Sequence, residues 1–160
     1  MGKVRRGWMA RYRRDYEGFA RLRGFEAPIN SWPYVRRSFF ECWLEPGFHR
    51  FWQVWNPGIA YFAFKVYVWL GGNRRRSTAT MGAFLANGLV HTIVTVPFVG
   101  RWPWMMVGTF ISFGLLTLVS RGAGPLLRQT AWPPLLNAAA NVGLVILSFD
   151  VGFAVDRALM

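Results

Sequence analysis

The sequence predicts an all-α integral membrane protein, with about three transmembrane helices, an interfacial or re-entrant aromatic helix and a basic amphipathic N-terminal head. Three observations lead there. Residues 78–98 and 102–120 carry no charge, and 134–155 carries one, Asp150; a bilayer core takes about 20 such residues per helix. The acids are confined to Asp15, Glu17, Glu26, Glu41, Glu45, Asp150 and Asp156, so none falls within 46–149. The basic residues crowd the first third, from Lys3, Arg5 and Arg6 through Arg11, Arg13, Arg14, Arg21, Arg23, Arg36 and Arg37 to Arg50, in a chain of net charge +12 with nine Trp and fourteen Phe. A cationic aromatic head followed by apolar spans is the pattern of a membrane protein with a basic cytoplasmic face.

The head, 1–48, comes first. Trp8, Met9, Tyr12, Tyr16, Phe19 and Ala20 recur at helical spacing with arginines on the other faces, which suits a helix lying among lipid headgroups. The adjoining spans favour a membrane surface over nucleic acid as the partner of this charge. Arginines interrupt every early apolar stretch, so no signal-peptide core is expected. Arg6 stands where a myristoylation signal needs Ser or Thr. The single cysteine, Cys42, excludes an internal disulfide and a cysteine-based zinc site.

The membrane region, 49–160, opens with an aromatic segment, 51–70, interrupted by Pro57-Gly58 and carrying Lys65. Charge decides its course. If it does not cross, the head, Arg74, Arg75, Arg76, Arg121 and Arg128 share one side, and only Arg101 and Arg157 lie opposite. If it crosses, that bias collapses, so the positive-inside rule favours a segment returning to its side of entry. The expected topology is an N-terminus in the cytoplasm, three spans and a C-terminus outside, in a bacterial inner membrane. Gly71-Gly72-Asn73, Gly100-Arg101-Trp102-Pro103 and residues 121–134 are the expected connections.

Few residues within the spans are able to do chemistry. His91 lies inside an uncharged run, where a titratable imidazole is costly to bury. Asn87 is one helical turn before it and is expected to fix its tautomer or orientation; the structural alternative is polar pairing between helices. Asn137 and Asn141, beside Ala138, Ala139, Ala140 and Gly143, read as packing glue on the third span. For Asp150 a pairing with Arg101 is the structural alternative to a proton role, and Lys65 is expected to snorkel to headgroups. Arg74, Arg75 and Arg76 suit lipid phosphates or an anionic acyl donor. His49 is expected at the interface. No metal-ligand cluster is present in the sequence.

Three blocks in order, Phe51-Trp52-Gln53-Val54-Trp55-Asn56, Leu70-Gly71-Gly72-Asn73-Arg74 and Phe84-Leu85 through Gly88-Leu89-Val90-His91, resemble the signature region of the membrane-bound O-acyltransferases. The likeness covers roughly residues 48–98. It implies that His91 is the general base taking a proton from an acceptor hydroxyl as it attacks an acyl thioester, a task suited to a neutral imidazole. It implies further that Asn56 orients the acceptor or polarises the acyl carbonyl, with Trp55 and Asn87 positioning substrate. No tightly bound cofactor is implied, only an acyl-CoA-like thioester donor. Family enzymes are longer, and their preceding helices help to build the donor tunnel. Membrane lipids, self-association or other membrane subunits are therefore the expected partners, with no nucleic acid. The alternative to transfer is a non-catalytic accessory subunit derived from such an enzyme.

Overall fold

The computed structural model describes residues 16–25 and 31–160. Among these the secondary structure is entirely helical. The amphipathic reading of Trp8, Met9 and Tyr12 lies outside the described residues; its continuation falls on α1 (Tyr16–Leu22), which buries Phe19 and Ala20. Helix α2 (Trp32–Phe39) follows, started by Ser31, whose hydroxyl accepts from the Tyr34 amide, and by Pro33 in its first turn. A 3-10 turn (Glu41–Leu44) then leads to α3 (Phe48–Val54), and α4 (Pro57–Trp69) comes after it.

Three helices are long and apolar enough to cross a membrane. They are α5 (Arg76–Val99), which extends the 3-10 turn Gly72–Arg75, then α6 (Trp104–Ala123) and α7 (Pro134–Ala158). Helix α6 is the centre of the bundle and packs against both others. What is buried marks the solvent as lipid. Thr80, Asn87, Thr92, Thr109, Ser112, Thr117, Ser120, Asn141 and Ser148 face inward, while Ile93, Val94, Phe98, Leu115, Val119 and Ile146 face out. In hydrocarbon, outward apolar surface costs nothing, so helices associate through small residues and hydrogen bonds. Ser112 and Ser148 are hydrogen-bonded 3.1 Å apart across α6 and α7. At Gly152 an added Cβ would lie 2.5 Å from the Met105 carbonyl, so the two backbones approach where only glycine fits.

The aromatic segment is two helices rather than one. Asn56 takes a left-handed conformation (φ 42°) and Pro57 follows, so the chain turns there and Pro57 begins a new helix with its φ already suited to it. Helix α3 enters near the end of α6, where His49 meets Ser120. It reaches the middle of α6, where the Trp52 and Phe113 ring centroids are 4.6 Å apart. Helix α4 then leads back to the 3-10 turn preceding α5. Its 13 residues span about 20 Å, short of a roughly 30 Å hydrocarbon core. The pair thus forms a short helical hairpin, with neither helix long enough to cross.

The head is fastened to this bundle. Phe19 of α1 lies 5.3 Å from the rings of both Tyr61 and Phe64 of α4, and the Tyr16 and Tyr34 hydroxyls are hydrogen-bonded. Asn141 of α7 donates its two side-chain N–H groups to the carbonyls of Trp43 (2.9 Å) and Glu45 (3.0 Å). Asn137 donates to the Trp132 carbonyl. The expectation that Asn141 is structural glue holds, although what it binds is the head rather than a neighbouring span.

Arg101 does not pair with Asp150. Its guanidinium contacts Asp156 at 2.7 and 3.4 Å, and Asp156 also accepts from the Met105 amide. Six residues of α-helix rotate about 240°, so Asp150 and Asp156 present different faces of α7. Asp150 is exposed, and only Asp156 reaches the α5–α6 turn.

Candidate functional site

A cavity of about 520 Å³ lies between the head, the α3–α4 hairpin and the first two long apolar helices. Its walls are Phe19 and Leu22 of α1, Trp52 and Trp55 from the aromatic block, Ile59, Ala60, Ala63 and Phe64 of α4, and Ala83 and Phe84 of α5. Helix spacing explains the set. Ala60, Ala63, Phe64 and Tyr67 of α4 recur at three- and four-residue intervals, as do Thr80, Ala83, Phe84 and Asn87 of α5 on the facing side. Trp52 and Phe84 meet edge to face with centroids 5.4 Å apart, an arrangement that aromatic quadrupoles favour.

Polar groups divide between the floor and the mouth. Asn87 is 4% exposed, and at 1.5 Å per residue it lies about 17 Å along α5 from Arg76. Its side-chain amide makes no hydrogen bond among the described residues. Two further cavity-lining groups, Trp52 Nε1 and Thr117 Oγ1, are buried without a partner among the described residues. Buried polar groups are otherwise almost always satisfied, so the two left open on this apolar wall, with the Asn87 side chain also on the lining, are groups able to bond a polar atom that enters the cavity. Arg23, His49, Tyr67, Asn73 and Arg121 stand elsewhere on the lining. Arg23 donates to the Gln53 carbonyl at 3.0 Å and lies over the Phe19 ring. Burial lowers its guanidinium to about 10, which leaves it charged at neutral pH.

His91 does not line this cavity. It is half-buried, with its ring 4.7 Å from that of Phe110 and Nδ1 2.9 Å from the Asn87 carbonyl. A carbonyl only accepts, so Nδ1 carries the proton and neutral His91 keeps its lone pair on Nε2. The tautomer is thus set by the backbone of Asn87, whose side chain is left for the cavity. Asn56 is also engaged elsewhere: its Oδ1 accepts from the Ile59 amide at 3.3 Å and caps α4. Trp55 and Asn87 are on the cavity wall; Arg74, Arg75, Arg76 and Lys65 are exposed outside it. The Lys65 ammonium lies 4.8 Å from the Tyr61 ring centroid.

Two participants, Trp52 and Thr117, were not singled out from the sequence, and His49, expected at the interface, is half-buried. Trp52 sits in the aromatic block, but nothing in its spacing separates it from Trp55. Thr117 reads as an ordinary small polar residue of a span. His49 faces inward: its Nδ1 is 3.2 Å from Ser120 Oγ, and burial, helped by the charges of Arg121 and Arg50, holds the imidazole below its usual pKa. Among the described residues no group of His, Cys, Asp and Glu is arranged to hold a metal ion.

No family model matches the chain, and no solved structure matches it. Among curated proteins the chain is similar to sterol O-acyltransferase 2 of Mus musculus, 28% identical over 104 residues, which is 61% of this chain and 20% of that protein. The matched region thus spans about a fifth of the length of that relative. The chain is thus distantly similar to part of an acyltransferase and has three apolar helices long enough to cross a membrane.

Proposed function

We propose that the protein binds the acyl chain of a lipid-type substrate in its apolar cavity and transfers the acyl group from a thioester donor to a hydroxyl acceptor. One observation carries the reading: an apolar cavity of about 520 Å³, within the roughly 300–1,000 Å³ of small-molecule sites, whose lining includes the buried Asn87 side chain and the unpartnered polar atoms of Trp52 and Thr117. Trp52 Nε1–H and the Asn87 amide supply donors for an acyl carbonyl oxygen, which gains negative charge as the acceptor attacks. Because His91 lies outside the cavity lining, the acceptor hydroxyl approaches from the His91 side; His91 takes its proton on Nε2, and the thiolate leaves with the donor. Asn56 acts through the turn it caps, which sets Trp55 on the cavity wall. Arg74, Arg75, Arg76 and Lys65 hold anionic lipid or donor at the surface, and the basic side faces the cytoplasm.

A second reading has its own support. Neither His91 nor Asn56 lines the cavity, which suits an accessory subunit that holds an acyl chain for another membrane protein without transferring it. One pair of experiments separates the two. Photoreactive acyl probes should label α3 to α6 in both cases. Turnover of an acyl thioester by the purified chain, abolished in His91→Ala while membrane insertion and labelling persist, supports transfer. Labelling without turnover in the wild type assigns the accessory role, and absence of labelling overturns both.

A further inference from the structure

A second cavity, of about 350 Å³, adjoins the first at the head side of the bundle and is bordered by His49, Arg50, Arg121, Arg128 and Gln129. His49 and Arg121 line both cavities. We propose that this second cavity receives a phosphoryl group, so that the ligand is an amphiphile with its acyl chain in the apolar cavity and its phosphoryl ester among these arginines. The proposal rests on the acyl-chain reading above and adds the class of headgroup.

Charge balance is the main argument. Every described carboxylate of the head is already engaged: Glu17 with Arg21, Glu41 with Arg36 and Arg37, and Glu45 with Arg37. Arg50, Arg121 and Arg128 have no carboxylate partner among the described residues, yet all three border one concavity. Planar guanidinium forks match the oxygens of a phosphate, and a phosphate monoester carries a charge of about −1.5 to −2 at neutral pH. A fatty carboxylate offers two oxygens and a single charge to the same three cations.

The surrounding geometry is built rather than incidental. A Cβ added to Gly47 would lie 2.5 Å from Gln129 Oε1 and 3.1 Å from both His49 Nδ1 and Ser120 Oγ. Gln129 Oε1 is buried without a partner among the described residues, and rotating that amide turns its NH₂ to the same point. His49 adds a neutral ring tied to Ser120. Arg128 takes a left-handed conformation (φ 47°), which a glycine adopts freely and an arginine does not.

The test uses the full chain in mild detergent, with binding read by native mass spectrometry and thermal shift. Dioleoyl phosphatidate is the probe, dioleoylglycerol the same molecule without phosphate, and inorganic phosphate the competitor. The expected result is one phosphatidate per chain, held at least about tenfold more tightly than dioleoylglycerol, in line with loss of a charge-assisted contact. Arg121→Gln and Arg128→Gly should each weaken it about tenfold. Arg36→Gln, which removes one charge on the same side outside both cavities, should not. Arg128→Gly also relieves the left-handed strain, so its melting temperature should not fall, and lost binding then reports the guanidinium. Competition by inorganic phosphate assigns the site to phosphoryl groups from any source; retention without competition assigns it to a lipid headgroup delivered with its chains. Equal binding of dioleoylglycerol and phosphatidate, or an equal loss in Arg36→Gln, overturns the phosphoryl site and leaves the acyl cavity standing. Failure of both lipids to bind removes the acyl reading as well.

Discussion

Removing the Asn141 side chain should unfasten the head from the bundle. The residue is 1% exposed, and both hydrogens of its amide nitrogen are used, at 2.9 Å to the Trp43 carbonyl and 3.0 Å to that of Glu45. Asn141→Ala deletes two hydrogen bonds, each with a net worth of about 0.5–1.5 kcal/mol, and leaves two acceptors that have lost their donor, which raises the cost. The expected loss is roughly 2–4 kcal/mol, about 4–16 °C in melting temperature for a domain of this size. Thermal unfolding in one fixed detergent, followed by tryptophan fluorescence, measures it. Hydrogen exchange should rise first across the 3-10 turn Glu41–Leu44. Asn141→Asp is the sharper variant, because a carboxylate faces the two carbonyls with acceptors only. It should be worse than alanine. A melting temperature for Asn141→Ala within about 1 °C of the wild type, or an Asp variant more stable than the Ala variant, would refute the reasoning.

Three further outcomes are expected. His49 is held below the ordinary imidazole value of 6.5 by burial, Arg121 and Arg50, with Arg128 also bordering the cavity. The unfolded state therefore binds more protons as pH falls through 6.5; stability should drop on acidification from there down to the folded pKa, and His49→Gln should flatten that slope. Gly152→Val should cost about 1–3 kcal/mol by overpacking, because its Cβ meets the Met105 carbonyl of α6 and the helices must part; an unchanged melting temperature would count against the close α6–α7 crossing. Cys42 is fully buried and its thiol is pushed up to about 12 by desolvation, so maleimide should label it only on unfolding, and rapid labelling of the native protein would contradict that burial.

The all-helical fold and its three long apolar helices were legible because hydropathy and helix length are local or additive properties. A run without charge declares itself at any position, and the basic residues sum to one side only if 51–70 returns. Pro57 gave notice of a break, but the left-handed Asn56 that completes the turn is a backbone state that no spacing displays. The candidate site was legible only in part. Trp55 and Asn87 do line the cavity, whereas the reading of His91 and Asn56 came from resemblance, and their observed partners are a backbone carbonyl and a backbone amide.

By itself, then, the sequence determined the helical class of this protein and the number of its helices long and apolar enough to cross a membrane, since these follow from composition over windows of about 20 residues. Tertiary structure decided which polar groups meet. His49 finds Ser120 across 71 positions, Asn141 finds the Trp43 carbonyl across 98, and Arg101 takes Asp156 instead of Asp150. Such pairings depend on helix rotation and crossing, where one residue turns a side chain by about 100°, and no local pattern carries that angle from one helix to the next.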